Sequence, residues 1–204
     1  QKMNPVAIGL SQVAKNGTPI ADWTTSGGST NGRLYLEKIK PLQPFAMRGV
    51  IWYQGEDDGG RESTALKYYQ MLPGLIANWR ADWKQGNFPF FYVQLALISG
   101  RPTWAIVRDA QVSTLDATQN TAMACIIDIP TVPASEIHPQ DKEPVGERLA
   151  LAARALAYRD EVRSVHRPFA RSTGPDVMLT DAERERHKTV LRKLADGTLY
   201  QKDA

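Results

Sequence analysis

Short apolar runs alternate with helical patterns along roughly the first 160 residues. Four runs have the length and apolar content of buried strands: 5–10 (PVAIGL), 48–53 (RGVIWY), 88–97 (FPFFYVQLAL) and 122–129 (AMACIIDI). Apolar residues at helical spacing, or helix-forming sequence, occupy 34–39, 63–83, 104–115 and about 144–158. This alternation predicts an α/β fold with a parallel sheet, whose strands are nearly uniformly apolar because helices cover both faces.

Proline and glycine mark the boundaries of the predicted helices. Pro41 is expected to end the first helix, and Pro144 lies near the first turn of the last one, where proline is well tolerated. Pro73 and Gly74 fall inside the helical pattern at 63–83, so we expect a kink or a division there.

The character of the chain changes after residue 159. The segment 163–175 has no regular pattern, and 181–194 (DAERERHKTVLRKL) is a strongly charged helical sequence with a thin apolar stripe. We therefore predict one domain over 1–160, followed by an irregular segment and a charged helical tail over 161–204.

Composition excludes several classes of protein. With 204 residues, 42% hydrophobic and 23% charged, the chain has the balance of one globular domain. Its net charge of +3 is too small to indicate nucleic-acid binding, and no apolar run is long enough to span a bilayer. The single cysteine, Cys125, excludes a disulfide framework and a cysteine-based metal site, and within a predicted strand it is expected to be inert. The chain begins at Gln1 without a leader pattern, so we expect a processed or partial chain.

The segment WYQGE at 52–56 follows the second predicted strand. Ligands of open α/β sheets bind at the carboxyl ends of the strands. Gln54, Gly55 and Glu56 would supply an amide donor, a tight turn and a charge at such an end. The alternative is that these polar groups only cap the next helix.

Three histidines occur, and one has a setting that favours chemistry. His187 lies among charged helical residues, and His166 lies in an irregular stretch. His138 follows the fourth predicted strand, with Glu136 two residues before it. A carboxylate beside a loop histidine fits a general base held in one tautomer. An exposed histidine in a proline-rich turn is the alternative.

Read together, five motifs point to one family. GLSQVAKNGTPIADW, PLQPFAMRGVIWYQGEDD, LIANWRADWKQGNFPFFYVQLA, VRDAQ and IDIP…EIHPQDKEPVGERLALAA occur in this order. Over roughly residues 5–170 the chain resembles the sialate O-acetylesterase family of SGNH-type hydrolases. The resemblance implies a three-layer α/β sandwich with a flavodoxin-like sheet, here incomplete at its N-terminal side. It also implies hydrolysis of acetyl esters on sugars by a serine nucleophile and a histidine base, without a metal or another cofactor.

Four residues take roles from this resemblance. His138 matches the catalytic base of the His-Pro motif, and Gln54 matches the glutamine that donates to the oxyanion. Gly17 matches the glycine whose backbone N–H completes the oxyanion hole, and Glu56 matches an acid that organises the loop. Such donors suit ester hydrolysis because each one is worth about 10²–10³ in rate.

The nucleophile of the family has no counterpart in these 204 residues. Ser11 follows a predicted strand and imitates the expected motif, but its spacing from Gly17 places it on the family's second strand. Ser26 and Ser29 lie in a glycine-rich loop. We therefore expect an upstream segment, a second chain or a neighbouring protomer to supply the serine together with a missing strand.

Other departures concern the acid and the loop after Gln-Gly-Glu. Glu136 replaces the aspartate that usually orients the histidine, and Ser135, Asp128 and Glu56 are the other positions considered. At 57–58 two aspartates replace a small residue and an amide residue, which adds negative charge near the site.

Two further matches and three functional interpretations complete the prediction. Arg108 and Gln111, in VRDAQ, match positions on a helix and are assigned to the scaffold. The leading interpretation is an acetylesterase acting on O-acetylated sialic acids or related sugars. The alternatives are an acetylxylan esterase and an inactive module with a binding or structural role. The resemblance favours a secreted or periplasmic location, and neither a nucleic acid nor a membrane is expected as a partner.

Overall fold

The computed structural model describes residues 8–25 and 32–159. Its regular elements are β1 (Val50–Trp52), α1 (Glu62–Trp83), β2 (Phe90–Val93), α2 (Trp104–Ala117), β3 (Thr121–Ala124) and α3 (Glu143–Leu156). Four short helical turns accompany them: Ile20–Trp23, Tyr35–Ile39, Lys40–Leu42 and Asp58–Gly60.

The three strands form one parallel sheet in the order β1-β2-β3. Ile51 of β1 is paired with Phe91 of β2, and Phe91 with Ala122 of β3. Successive parallel strands need a crossover connection, which α1 and α2 provide. The predicted α/β class with a parallel sheet is confirmed.

Alternation along β2 separates the two helical layers. Phe90 packs against Trp79 of α1, with ring centroids 6.0 Å apart, and the hydroxyl of Tyr92 donates to the carbonyl of Gln111 in α2 at 2.8 Å. Phe91 points the other way and packs against Ala152 and the neighbouring residues of α3. The sheet is therefore the middle of three layers, as expected for this fold.

Indole rings form the centre of the larger core. Trp52 of β1 contacts Trp23 and Trp79 edge to face, with centroid distances of 5.9 and 5.8 Å. Each such pair contributes about 0.5–1.5 kcal/mol beyond the burial of its surface. The cluster fixes the short turn at Ile20–Trp23 against β1 and α1, next to the loop that follows β1.

The predicted division of the helix at Pro73 is wrong, because α1 continues through it as one helix of 22 residues. An interior proline costs about 3 kcal/mol. Leu72, Leu75 and Ile76 surround it and are each 0% exposed. Burying each of them contributes about 1.5–3 kcal/mol, so packing outweighs the lost hydrogen bond.

The strand predicted at 5–10 is not formed in its described part. Residues 8–10 have no regular structure, and Ile8 and Leu10 are 67% and 88% exposed. A strand needs a neighbour for its backbone hydrogen bonds, and none lies beside these residues in the described part of the chain. Residues 5–7 and the predicted tail at 161–204 lie outside the described residues.

Strand β1 lies at the edge of the described sheet. Ile51, in its middle, is 59% exposed, so the expectation that both faces of this strand are covered is wrong. The reason is that α3 packs mainly on β2 and β3. None of the helices in the two described ranges is long and apolar enough to cross a membrane.

Candidate active site

Two polar loops leave the sheet at the same rim. The loop with Gln54 and Glu56 follows β1, and the loop with His138 follows β3. Because the strands are parallel, both loops begin at carboxyl ends, where α/β proteins bind their ligands. The loop after β2 contacts the loop after β3, since the N–H of Ser99 donates to the carbonyl of Ala134 at 2.9 Å.

Glu136 and His138 are in direct contact. The Oε1 atom of Glu136 accepts the backbone N–H of His138 at 2.9 Å and lies 3.3 Å from its Nδ1. The same oxygen therefore fixes both the turn and the ring, with Nδ1 facing the carboxylate and Nε2 facing away. The His138 side chain is 72% exposed, so Nε2 is accessible to a reactant.

Glu56 links the two loops through its charge. Burial raises the pKa of its carboxyl group, while the positive charges of His138 and Lys142 act in the opposite direction. The ammonium of Lys142 lies 5.0 Å from the centre of the Tyr53 ring, a cation–π contact. Burial and the charge of Glu56 raise the pKa of Tyr53 to about 12, so this hydroxyl stays protonated at neutral pH.

The side-chain amide of Gln54 forms hydrogen bonds with other groups of the protein. Its Nε2 donates to the carbonyl of Thr18 at 3.1 Å and to Oδ2 of Asp58 at 2.5 Å. Its Oε1 accepts the hydroxyl of Tyr68 at 3.0 Å. Both amide hydrogens thus have partners, whereas the sequence prediction assigns one to an oxyanion.

Asp58 is buried, with 5% exposure, and accepts hydrogen bonds from two directions. Oδ2 takes the N–H of Ile20 at 2.8 Å as well as the amide of Gln54. Burial raises the pKa of this carboxyl to about 6, although both hydrogen bonds oppose the rise. The sequence predicts a negative charge near the site; the carboxylate of Asp58 bonds Gln54 there, faces inward and joins two segments of the chain.

Gly17 lies in a turn that Thr18 closes. The hydroxyl of Thr18 donates to the carbonyl of Lys15 at 2.9 Å and accepts the indole N–H of Trp23 at 3.1 Å. Gly17 has φ +59°, a conformation that favours glycine. Within the described residues no hydrogen bond occupies its N–H, which leaves it available to an incoming oxygen.

Asp128 and Ser135, two other candidates for the orienting acid, have different surroundings. Asp128 forms a two-pronged ion pair with Arg148 at 2.6 Å for each contact, and the same arginine donates to the carbonyl of Cys125. Ser135 is exposed and carries no charge. Glu136 contacts His138 directly, and Glu56 interacts with it through charge.

Gln111 is buried and connects three parts of the scaffold. Its Oε1 accepts the N–H of Leu95 at 2.9 Å, and its Nε2 donates to the carbonyls of Val93 and Gln54 at 3.1 and 3.4 Å. Arg108, also buried, donates to the carbonyl of Ala96 at 3.2 Å. These contacts agree with the predicted scaffold assignment and hold the end of β2 against α2.

The remaining nucleophile candidates have no built site in the described residues. Ser11 is exposed in an irregular segment, and burial raises the pKa of the Cys125 thiol, which disfavours its thiolate. Ser26, Ser29 and the other two histidines lie outside the described residues. Over 8–25 and 32–159, no group of three or more acidic, histidine or cysteine side chains could hold a metal ion.

Sequence reasoning missed Lys142, Thr18 and the inward role of Asp58. The spacing of Asp58 four residues after Gln54 was the available signal, because one helical turn brings such residues together. The N–H of Gly59 donates to the carbonyl of Gly55 at 2.9 Å, which forms that turn. Nothing local in the sequence indicated the contact with Ile20.

Comparisons with known proteins identify the family of this chain. Residues 1–154 match the family model described as carbohydrate esterase, sialic acid-specific acetylesterase. A sialate O-acetylesterase of Rattus norvegicus is 34% identical over 154 residues, which cover 67% of this chain and 28% of that protein. The human sialate O-acetylesterase is 30% identical over 192 residues, covering 76% of this chain and 36% of that protein.

A solved structure of a carbohydrate acetylesterase also resembles this chain. The carbohydrate acetylesterase of Xanthomonas citri superposes with a TM-score of 0.66 at 40% identity, over 72% of this chain and 36% of that one. The chain thus spans about a third of the length of the relatives it matches. On the family match and the shared fold, this chain belongs to the sialic acid-specific acetylesterase family of carbohydrate esterases.

Proposed function

We propose that this chain supplies the histidine base and part of the oxyanion hole of an esterase that removes acetyl groups from sugars. The observation that carries the proposal is the Glu136–His138 contact in the loop after β3, which the Lys142–Tyr53 contact connects to the loop after β1. The open N–H of Gly17 supports it.

The proposed mechanism uses His138 twice. Nε2 accepts the proton of a serine hydroxyl as the oxygen attacks the acetyl carbonyl, while Glu136 at Nδ1 stabilises the imidazolium. The carbonyl oxygen becomes an oxyanion and accepts a hydrogen bond from Gly17 N–H. His138 then protonates the sugar oxygen that leaves. Water, activated by the same nitrogen, releases acetate and restores the serine.

The serine is proposed to come from a segment outside these 204 residues. The edge position of β1 and the 59% exposure of Ile51 support this, because a further strand would pair with that edge and place its side chains beside Ile51. If it pairs in parallel, about 4.8 Å away, it would end at the same rim as Gln54. An upstream segment, a second chain or a neighbouring protomer could supply it.

Acetylated sialic acids are the first substrate class to test, since relatives named sialate O-acetylesterase match 67% and 76% of this chain. The experiment measures acetate released from O-acetylated sialic acid and from acetylated xylan, using this chain and a longer product of its gene. Release from the first substrate alone supports the sialate assignment. Release from xylan alone favours the acetylxylan esterase, and no release from either by any form favours the inactive module.

A further inference from the structure

The hydrogen bonds of Gln54 and Asp58 form a connected clamp around residues 18–20. Gln54 holds the carbonyl of Thr18, Asp58 holds the N–H of Ile20, and the two side chains hold each other. These contacts grip the backbone on both sides of Pro19. The clamp therefore fixes the position of the segment directly after Gly17.

The clamp is itself anchored in the core. Tyr68, at 0% exposure, donates to Oε1 of Gln54, and the indole N–H of Trp52 lies 3.4 Å from the Tyr68 hydroxyl. Gln54 thus has a defined amide orientation, with its oxygen toward Tyr68 and its nitrogen toward Thr18 and Asp58. Turning either amide hydrogen toward a substrate would break one of these contacts.

From Thr18 the clamp reaches the predicted oxyanion donor. The Thr18 hydroxyl closes the turn onto Lys15, and Gly17 lies inside that turn with its N–H open. We propose that Gln54 is a positioning residue, held by Asp58, that sets the Gly17 N–H for the oxyanion rather than donating to it directly. This inference rests on the proposed esterase function for its effect on catalysis.

One oxygen of Asp58 makes both of its contacts in the clamp. Oδ2 accepts the N–H of Ile20 and the amide of Gln54. The other titratable group that acts on it is Asp57 on the same turn, and burial together with the charge of Asp58 raises the pKa of Tyr68 on α1. Since one oxygen accepts both bonds, asparagine can present its carbonyl oxygen in the same place, whereas alanine cannot.

The first arm of the test needs no enzyme activity. It measures hydrogen exchange and the amide NMR signal of Ile20 in the 204-residue chain, in Asp58→Asn and in Asp58→Ala. We expect the wild-type signal to shift with pH, and the shift to vanish in Asp58→Asn while protection persists. Exchange should rise at least about tenfold in Asp58→Ala, the loss expected from a hydrogen bond worth about 1.4 kcal/mol. Unchanged protection in Asp58→Ala would overturn the clamp.

The second arm measures kcat and KM in whichever form of the protein releases acetate. We expect Asp58→Ala to lower kcat by about 10- to 100-fold, approaching the worth of one oxyanion donor. Asp58→Asn should stay within about threefold of wild type, as should the exposed control Asp57→Ala. If Gln54 donates directly, releasing it from Asp58 leaves kcat unchanged or raised, which would overturn the inference.

The two arms separate failure of the clamp from failure of the proposed function. If no form of the protein hydrolyses an ester, the function fails, and the exchange of Ile20 still decides whether the clamp exists. Should Asp58→Ala fail to fold, the pH-dependent Ile20 signal in wild type against Asp58→Asn gives the decision.

Discussion

One carboxylate oxygen of Glu136 contacts both the backbone N–H and the ring Nδ1 of His138, at 2.9 and 3.3 Å. A single side chain thereby sets the local turn and the direction of the imidazole. The Glu136 side chain is 36% exposed and that of His138 is 72% exposed, so solvent screens the charge of Glu136. This differs from the buried triad acid of serine proteases, whose replacement by an amide costs about 10⁴ in kcat.

Glu136→Gln should therefore have a moderate effect. The amide oxygen keeps the backbone contact, and only the negative charge that stabilises the imidazolium is lost. We expect kcat to fall about tenfold, which corresponds to about 1.4 kcal/mol of screened electrostatic stabilisation. Steady-state kinetics on an acetyl ester would measure it, with the exposed Glu147→Gln of α3 as the control. Equal rates for the two variants would remove Glu136 from the mechanism.

The charges at the rim predict a change in the pKa of Glu56. His138 and Lys142 both act to lower that pKa, against the rise caused by burial. His138→Ala removes one positive charge, so the pKa of Glu56 should rise, and Lys142→Ala should raise it as well. Carboxyl NMR titration would follow the pKa of Glu56, with Arg33→Ala as control, because the exposed Arg33 pairs with Glu37 and is not among the groups that act on Glu56. An unchanged pKa in both rim variants would place the two loops apart.

Asp58→Asn should stabilise the chain at neutral pH. The pKa of Asp58 is raised from 3.8 to about 6 in the folded state, so the folded state binds the proton more tightly than the unfolded state. The free energy of unfolding of wild type then falls as pH rises from about 4 to 6 and stays low above. Asparagine carries no such charge, so its advantage approaches about 3 kcal/mol at pH 8 and disappears near pH 4.

Urea unfolding at these two pH values would measure the difference, with Asp57→Asn as the matched control on the same turn. Asp57 is exposed, so its replacement should change stability by less than about 0.5 kcal/mol. A stability gain for Asp58→Asn that is equal at both pH values would contradict the assigned charge.

Gly17→Ala tests the turn through backbone conformation alone. An added Cβ would meet no atom within 4 Å, so the cost arises from φ +59° and not from a clash. We expect a loss of about 1–2 kcal/mol in stability, with a fall in kcat if the turn relaxes and moves its N–H. A Cβ added at Gly60 would also meet no atom within 4 Å, and Gly60 has no positive φ. Gly60→Ala should therefore change stability very little. Equal stability of the two variants would show that the turn tolerates a side chain.

The rim and its two loops could be predicted from the sequence because they follow local rules. Apolar strands mark the sheet, and in a parallel sheet the residues after each strand meet at one edge. That reasoning predicts that Gln54 and His138 lie at the same rim. The Glu136–His138 contact could also be predicted from the sequence, since the two residues are neighbours in one turn.

The hydrogen bonds within the site depended on tertiary contacts instead. Asp58 meets Ile20 across 38 residues, and no local pattern indicates such a contact. The same limit explains the error at Pro73, where buried neighbours outweigh a local rule about proline. It also explains residues 8–10, whose apolar content favours a strand but whose described surroundings offer no partner.

The central claim is that His138 is the general base of an acetylesterase at this rim. Its most direct test is acetate release by His138→Ala, in whichever form of the protein, this chain or a longer product of its gene, is active. The account predicts that kcat falls about 10²- to 10⁴-fold at unchanged folding, the worth of a positioned general base. The claim would be contradicted if His138→Ala released acetate at a rate within a factor of about two of wild type, since a positioned general base contributes about 10²- to 10⁴-fold.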